Sequence, residues 1–216
     1  TGGSALAVPL AAERAAALLD VWYPGQSGGD ALADVLFGDA NPGGRLPVTF
    51  YQSTADLPPF ADYAMRGRTY RYLDRPPLYP FGFGRSYTTF RYQNLTVAAD
   101  AASLSVDVQN TGTRAGDEVV QAYLLPQQPP PFAPRRWLAA FARVTLAPGE
   151  RRTVTLPIPP ESRTIVDEGG ARRALQAPVD VAVGGAQPEA DGHYRDDARG
   201  LVAPGIALES PTGRSK

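Results

Sequence analysis

Residues 21–50, VWYPGQSGGDALADVLFGDANPGGRLPVTF, decide the fold of this 216-residue chain. Pro24 and Gly25 follow two aromatic residues. They predict a tight turn, because proline fixes φ and glycine tolerates a positive φ. Before the turn we expect a buried strand at 16–22, preceded by a helix at 11–14. The high helix propensity of this alanine-rich region competes with the strand interpretation.

A short amphipathic helix is predicted after the turn, at residues 30–37, with Ser27 as its N-cap candidate. Gly38 is expected to end this helix, because glycine readily adopts the left-handed conformation of a C-cap. Turn-forming residues then lead to a second strand at 46–50. The order strand, turn, helix, loop and strand is typical of an α/β layer fold.

The segment DYAMRGRTYRY at 62–72 interleaves arginines with tyrosines. Packing between segments is the favoured interpretation, because guanidinium planes stack on tyrosine rings and pair with carboxylates. A sugar-facing surface and an RNA-binding surface are the alternatives, and the acidic balance of the chain disfavours RNA. The aromatic, proline-containing segment 76–90 predicts a buried connection between two rigidly docked domains, anchored by Tyr79, Phe81, Phe83 and Tyr87.

From Arg91 onward, apolar residues alternate with polar ones at period two, which is the pattern of half-buried strands. About seven short strands are predicted, separated by turn signals such as 110–112 and the hairpin turn 168–170. This arrangement is typical of an immunoglobulin-like β-sandwich. A last strand is expected near 201–208, with fraying after Ser210. The alternating apolar positions are Leu104, Val106, Val108, Val120, Ala122, Leu124, Val154, Leu156, Ile158, Val179, Val181 and Val183.

Composition and charge argue against several classes of protein. A hydrophobic content of 43% is normal for a globular protein, and a formal net charge of -1 disfavours a nucleic-acid-binding protein. Cysteine is absent and His193 is the only histidine, so neither a disulfide framework nor a multi-His metal site is expected. No apolar run approaches the roughly 20 residues of a membrane span, and no signal peptide is visible. Because residue 1 is Thr and the only methionine is Met65, we expect a processed form or a piece of a longer protein.

Six stretches together resemble the C-terminal half of glycoside hydrolase family 3, the β-glucosidase and β-xylosidase family. Those that resemble its α/β part are WYPGQSGGDALADVLFGDANPGGRLPVTF at 22–50, GRTYRY at 67–72 and PLYPFGFGRSYTTF at 77–90. Those that resemble its fibronectin type III-like domain are NTGTRAGDEVVQAYL at 110–124, FARVTLAPGE at 141–150 and VDVAVGGAQPE at 179–189.

This resemblance implies a (β/α)₈ barrel, an α/β sandwich and a fibronectin-like sandwich in the complete protein. The chain would then hold a partial three-layer α/β sandwich at 1–90, a fibronectin type III-like β-sandwich at 91–189, and a polar tail with a last strand at 190–216. The missing barrel of the same polypeptide and an oligosaccharide substrate are the expected partners. Nucleic acid, membrane and cofactors are not expected, and secretion to the periplasm or the outside would suit the family.

The resemblance also implies a retaining mechanism, which needs one carboxylate as nucleophile and another as acid/base. The family's nucleophile is an Asp in the barrel, and its acid/base is usually a Glu upstream of the turn at Trp22. No residue of this chain matches either position, so no catalytic, cofactor-binding or metal-binding residue is assigned. We therefore expect a C-terminal structural portion of a β-glycosidase for terminal β-D-glucosyl or β-D-xylosyl residues, inactive on its own.

The other carboxylates are interpreted as structural. Asp30 and Asp34 are expected to cap and solvate the predicted helix, and Asp39 to pair with Arg45 across the loop. Ordinary loop, strand-edge or surface groups are expected at Asp117, Glu118, His193, Asp196 and Asp197.

The two tryptophans, Trp22 and Trp137, each have a structural interpretation and a binding interpretation. Trp22 is expected in the core, with sugar contact as the alternative. A non-catalytic carbohydrate- or protein-binding module is the second hypothesis for the whole chain. It would use Trp137 and the proline loop at 129–131 as its contact surface.

Overall fold

The computed structural model describes residues 3–99, 101–175, 177–189, 192, 194 and 199–207. The first part of the chain forms short helices joined by irregular segments, namely α1 (Pro9–Arg14), α2 (Gly28–Phe37), a 3-10 turn (Thr54–Asp56) and α3 (Thr69–Tyr72). α1 begins at a proline, whose missing N–H is not needed in the first turn of a helix. Among the described helices, none has the length and apolar character that crossing a bilayer requires.

Helix α2 confirms the helix predicted at 30–37 and begins two residues earlier. Ser27 occupies the N-cap position, but its side chain makes no capping hydrogen bond. Gly38 ends the helix at φ +85°, and its N–H donates to the carbonyl of Val35 at 3.2 Å. The last residue of the helix, Phe37, is 84% exposed.

The two strands predicted beside α2 are not formed. Residues 16–22 pair with no strand among the described residues, and an extended segment gains ladder hydrogen bonds only from a neighbouring strand. Residues 46–50 meet 78–83 through backbone hydrogen bonds of 2.8–3.2 Å, but Phe50 and Tyr79 form only an isolated bridge. Pro47 interrupts the ladder, because proline has no N–H to donate.

The remainder of the described chain is built from strands. Their bounds are β1 (Phe90–Val97), β2 (Ser103–Asn110), β3 (Gly116–Pro126), β4 (Trp137–Leu146), β5 (Arg151–Pro157), β6 (Thr164–Val166), β7 (Arg172–Ala174), β8 (Val179–Gly184) and β9 (Gly200–Ile206). Two antiparallel sheets, β1-β2-β5 and β4-β3-β8-β9, face each other, and β6 and β7 form a separate hairpin. β9 confirms the last strand, whereas Leu208 and Ser210 lie outside the described residues.

The core lies between the two sheets and follows the predicted alternation. Leu104, Val106 and Val108 on β2 are at most 2% exposed, and Val181 and Val183 on β8 are fully buried. Each such side chain contributes roughly 1.5–3 kcal/mol when it leaves water. Local period-two patterning therefore accounts for the interior of the sandwich.

Strand β3 departs from simple alternation because both of its faces are covered. Its inward face joins the core as predicted, but Gln121, Tyr123 and Leu125 on the opposite face are buried as well. Tyr70 and Phe81, from the helical part of the chain, pack on this outer face. The outer face of β3 is therefore one of the places where the two parts of the chain meet.

Candidate functional site

The aspartates around α2 lie at the surface of the chain. Asp30 and Asp34 occupy exposed positions on the helix, and Asp39 is exposed in the loop that follows it. In the described ranges, no group of three or more His, Asp or Glu residues is placed to hold a metal ion. His193, Asp196 and Asp197 lie outside the described residues.

Asp117 and Glu118 are neighbours on β3 with opposite environments. Asp117 lies at the surface as predicted, where it accepts hydrogen bonds from Arg143 Nε at 2.9 Å and from the Thr145 hydroxyl at 2.6 Å. Glu118 was predicted as an ordinary charge near a strand edge, which is wrong, because only 4% of its side chain is exposed. It lies on the inward-facing side of β3, with Val120.

Arg45 pairs with Glu118 and not with Asp39. Its Nη2 donates to Glu118 Oε2 at 2.8 Å, and only 8% of the Arg45 side chain is exposed. Its Nη1 also donates to the carbonyls of Gly43 and Gly44 at 3.2 and 3.1 Å. The predicted pair between Arg45 and Asp39 is therefore wrong. The partner of Arg45 is a carboxylate of the sandwich, and the resulting ion pair is buried.

Tyr92 on β1 completes this buried cluster. Its hydroxyl donates to Glu118 Oε1 at 2.9 Å, so both carboxylate oxygens are engaged. Burial raises the pKa of Glu118, and the Arg45 charge and the Tyr92 hydrogen bond oppose that rise. Burial also raises the pKa of the Tyr92 hydroxyl, and the neighbouring carboxylate adds to the effect. The cluster links three elements, and the 4% exposure of the Glu118 side chain encloses its carboxylate away from any substrate in solution.

The loop after α2 is held by further contacts with the sandwich. Asn41 donates from Nδ2 to the carbonyl of Ala115 at 2.9 Å, while its Oδ1 accepts from the Ser86 hydroxyl and from the backbone N–H of Tyr87, both at 2.8 Å. The Tyr87 hydroxyl donates to the Val35 carbonyl at 2.7 Å. Helix α2, its loop and the connection to β1 are thus joined by specific hydrogen bonds.

A second set of contacts joins the connection segment to the outer face of β3. Phe81 stacks on Tyr70 with ring centroids 4.2 Å apart, and Tyr70 meets Tyr123 edge-on at 6.2 Å. The Tyr123 hydroxyl donates to Gln121 Oε1 at 2.6 Å, and Gln121 Nε2 donates to the Gly82 carbonyl at 3.2 Å. Phe81 therefore anchors the connection as predicted, whereas Tyr87 is 45% exposed.

Trp22 is half-buried and not fully in the core. Its ring meets Phe50 edge-on at 6.1 Å, and Phe50 meets Tyr79 in the same way. The backbone of Trp22 has φ +50°, and its N–H donates to Asp20 Oδ1 at 3.1 Å. The ring therefore has a structural contact, and sugar contact stays a hypothesis.

The arginine- and tyrosine-rich segment 62–72 serves packing at its centre. Arg68 donates to the carbonyls of Pro59, Asp62 and Ala64 at 2.6–3.1 Å, so its partners are backbone oxygens and not the predicted carboxylates. Tyr63, by contrast, is 88% exposed. The sugar-facing alternative stays open only for such exposed members of the segment.

Trp137 does not form the contact surface of a binding module. It is 6% exposed, belongs to the core of the sandwich, and donates from Nε1 to the Ser162 carbonyl at 2.7 Å. The predicted part of Trp137 in a contact surface is therefore wrong, whereas Pro129 and Pro131 of the proline loop are exposed and their part in it stays a prediction.

Sequence reasoning missed Glu118, Tyr92 and Gln121, although two signals were present. Glu118 lies two positions before Val120 on β3, and residues two apart on a strand lie on the same face. The alternating pattern therefore predicts that the Glu118 side chain faces the core. A carboxylate at a core position needs a positive partner, and Arg45 is one of the few charged residues in the motif after α2. Gln121 lies on the opposite face, where no local pattern signals burial.

Comparison with known proteins agrees with both parts of the molecule. The family description Glycosyl hydrolase family 3 C-terminal domain matches residues 1–87, and Fibronectin type III-like domain matches residues 118–187. The chain is 46% identical to a xylan 1,4-beta-xylosidase of Xylanibacter ruminicola over 164 residues, which are 74% of this chain and 19% of that protein. It is 40% identical to a periplasmic beta-glucosidase of Salmonella typhimurium over 174 residues, 72% of this chain and 23% of that protein.

Solved structures show the same arrangement. A β-glucosidase from Erythrobacter marinus superposes with a TM-score of 0.74 at 32% identity, over 94% of this chain and 27% of that one. β-Glucosidase 3B from Thermotoga neapolitana, in complex with α-D-glucose, gives 0.72 at 33% identity, over 86% of this chain and 27% of that one. The chain spans about a fifth of the length of the curated relatives it matches.

These matches confirm the predicted fold class, an α/β part followed by a fibronectin type III-like sandwich. The chain belongs to glycoside hydrolase family 3, in which it corresponds to the C-terminal domain and the fibronectin type III-like domain that follows it.

Proposed function

We propose that this chain is the C-terminal structural portion of a retaining β-glycosidase that removes terminal β-D-glucosyl or β-D-xylosyl residues, and that the chain alone is inactive. Retaining hydrolysis needs two carboxyl groups about 5–5.5 Å apart, one of them free to attack the sugar. The observation that carries the proposal is the state of Glu118, whose two oxygens are bound by Arg45 and Tyr92 in a closed interior. Asp117 is likewise bound, by Arg143 and Thr145.

We further propose that the missing barrel and the rest of the α/β sandwich cover the helical part of this chain. Thirteen of the fifteen large hydrophobic residues that are exposed in the described chain lie before β1. Exposed apolar side chains concentrated in one part of a chain are expected where another part of the protein covers them. The described part of the sandwich contributes Phe141 and Val166 to this set, so it exposes few large apolar side chains.

The same proposal divides the chain into three parts: 1–90 as the end of the α/β sandwich and its connection, 91–189 as the fibronectin-like domain, and 190–216 as a tail. The start of β1 at Phe90 supports the first boundary. The packing of Tyr70 and Phe81 on β3 supports rigid docking of the first two parts. The oligosaccharide substrate would bind mainly to the preceding part of the polypeptide.

Activity of the purified chain on an aryl β-glucoside and an aryl β-xyloside tests this function. We expect no turnover of either substrate. Turnover that is abolished by replacing Asp30, Asp34 or Asp39 with Asn would overturn the proposal. The reading frame upstream of Thr1 is the second test, because a barrel with a suitable Asp is expected there and a start codon next to Thr1 would contradict it.

A further inference from the structure

Two segments that are far apart in the sequence run side by side where the first part of the chain meets the sandwich. We call residues 38–45 the glycine loop and residues 114–118 the clasp. Gly38 accepts a hydrogen bond from Arg114, and Asn41 donates to the Ala115 carbonyl at 2.9 Å. A side-chain carbon added at Gly43 would lie 3.0 Å from Asp117 Cβ. The ion pair between Arg45 and Glu118 is the fourth contact. The four contacts follow the same order along both segments, so the glycine loop and the clasp are aligned in one register.

The contact between Arg45 and Glu118 is buried, unlike the other contacts between the two segments. The bonds made by Gly38 and Asn41 are exposed, whereas the Arg45 and Glu118 side chains are only 8% and 4% exposed. Arg45 also binds the carbonyls of Gly43 and Gly44, so the guanidinium folds the loop back upon itself. An enclosed ion pair that loses one member leaves the other charged and unsatisfied, which costs far more than loss of a surface pair.

We propose that Arg45 is a latch that positions the glycine loop on the sandwich. Without its contact to Glu118, the loop and residues 46–50 behind it open to solvent while both sheets of the sandwich stay folded. The sheets stay folded because their core of Val106, Val181 and similar residues does not involve the loop. Residues 46–50 follow the loop because they continue directly from Arg45 and pair with 78–83 through a few backbone hydrogen bonds and one isolated bridge, outside both sheets of the sandwich.

This latch gives the fibronectin-like domain a mechanical task that is independent of any catalytic activity of the chain. The sandwich fixes the loop that ends α2, and through Phe50 it supports the ring of Trp22. The proposal therefore stands or falls separately from the assays on aryl glycosides.

Hydrogen exchange on the purified chain, read peptide by peptide, tests the latch. Arg45→Met keeps the apolar stem of the side chain and removes its charge. We expect exchange over 38–50 to rise by roughly tenfold or more, with β2 and β8 unchanged. Arg143→Met is the matched control, because it removes the exposed partner of Asp117, next to Glu118 on β3, and should leave 38–50 unchanged. Equal exchange increases in the loop and in β2, or an equal loop effect of the control, would overturn the proposal.

Glu118→Leu tests the same contact from its other end, and should open the same peptides. The double variant should open 38–50 no further than either single change, because both act on one contact. Additive opening would contradict the latch. Should the variants fail to fold, trypsin digestion of the unaltered chain decides: cleavage is expected after the exposed Arg66 long before Arg45, and early cleavage after Arg45 overturns the proposal.

Discussion

The side chain of Gln121 fills the space that a side chain at Gly82 would need. Gln121 Nε2 donates to the carbonyls of Gly82 and Gly185 at 3.2 and 2.8 Å, and a carbon added at Gly82 would overlap Gln121 Oε1. Gly82 also has φ +77°, a conformation that costs other residues about 1–2 kcal/mol. The connection segment therefore approaches β3 so closely that only glycine fits at this position.

Gly82→Ala should destabilise the chain by both effects, conformational strain and overlap with Gln121. Gly149→Ala is the matched control, because Gly149 has φ +76° but nothing within 4 Å of an added carbon. We expect urea unfolding to show a loss of about 1–2 kcal/mol for the control and about 1–3 kcal/mol more for Gly82→Ala. Equal losses would mean that Gln121 moves aside without cost.

Asp117 and Glu118 should respond to pH with opposite signs. The Thr145 hydroxyl bond, helped by Arg143, holds the pKa of Asp117 below its ordinary value of 3.8. Its contribution to stability is therefore present above pH 3.8 and is lost as the pH falls through the lowered pKa. The free energy of unfolding of the unaltered chain should fall toward that of Asp117→Asn between pH 5 and pH 3. If the two free energies of unfolding differed by the same amount at every pH, the lowered pKa of Asp117 would be contradicted.

For Glu118, burial raises the pKa above its ordinary value of 4.5. The folded state then binds this proton more tightly than the unfolded state, so the associated stability is complete below pH 4.5 and is lost as the pH rises through the raised pKa. Relative to Glu118→Gln, which does not titrate, the unaltered chain should lose stability as the pH rises. The opposite slope would show that Arg45 outweighs burial.

Removal of the fibronectin-like domain should make the remaining chain aggregate. The connection at 78–90 would lose the cover of β3 over Phe81, in addition to the apolar side chains that are already exposed before β1. Light scattering and dye binding by residues 1–87 alone should report association and exposed apolar surface. A monomeric, cooperatively unfolding product would show that the sandwich is dispensable for this part.

Trp22 should matter for packing and not for binding of free sugars. Trp22→Ala is expected to cost about 1–3 kcal/mol, because it removes the edge-on contact with Phe50 from a half-buried site. Tyr23→Ala, at an adjacent position that is 80% exposed, should change stability by less than about 0.5 kcal/mol. Tryptophan fluorescence should not respond to glucose or xylose, and a saturable change that Trp22→Phe abolishes would favour sugar contact.

Sequence reasoning succeeded where the pattern is local. Helix α2 was predicted because its apolar spacing and Gly38 lie within one short stretch. The strands of the sandwich were predicted because side chains on a strand alternate between its faces. The strand at 16–22 was wrong, because a strand also needs a neighbour, and sequence alone does not show which neighbour is present.

The sequence by itself determined the family motifs, the helix that ends at Gly38 and the alternating core of the sandwich, because each depends on residues a few positions apart. Only the tertiary structure decided that Arg45 pairs with Glu118, 73 residues away, and that the outer face of β3 is buried. The physical reason is enclosure: Asp39 offers Arg45 the same charge nearby in sequence, but Glu118 offers it in a closed interior, where an ion pair and its hydrogen bonds act with little screening by water.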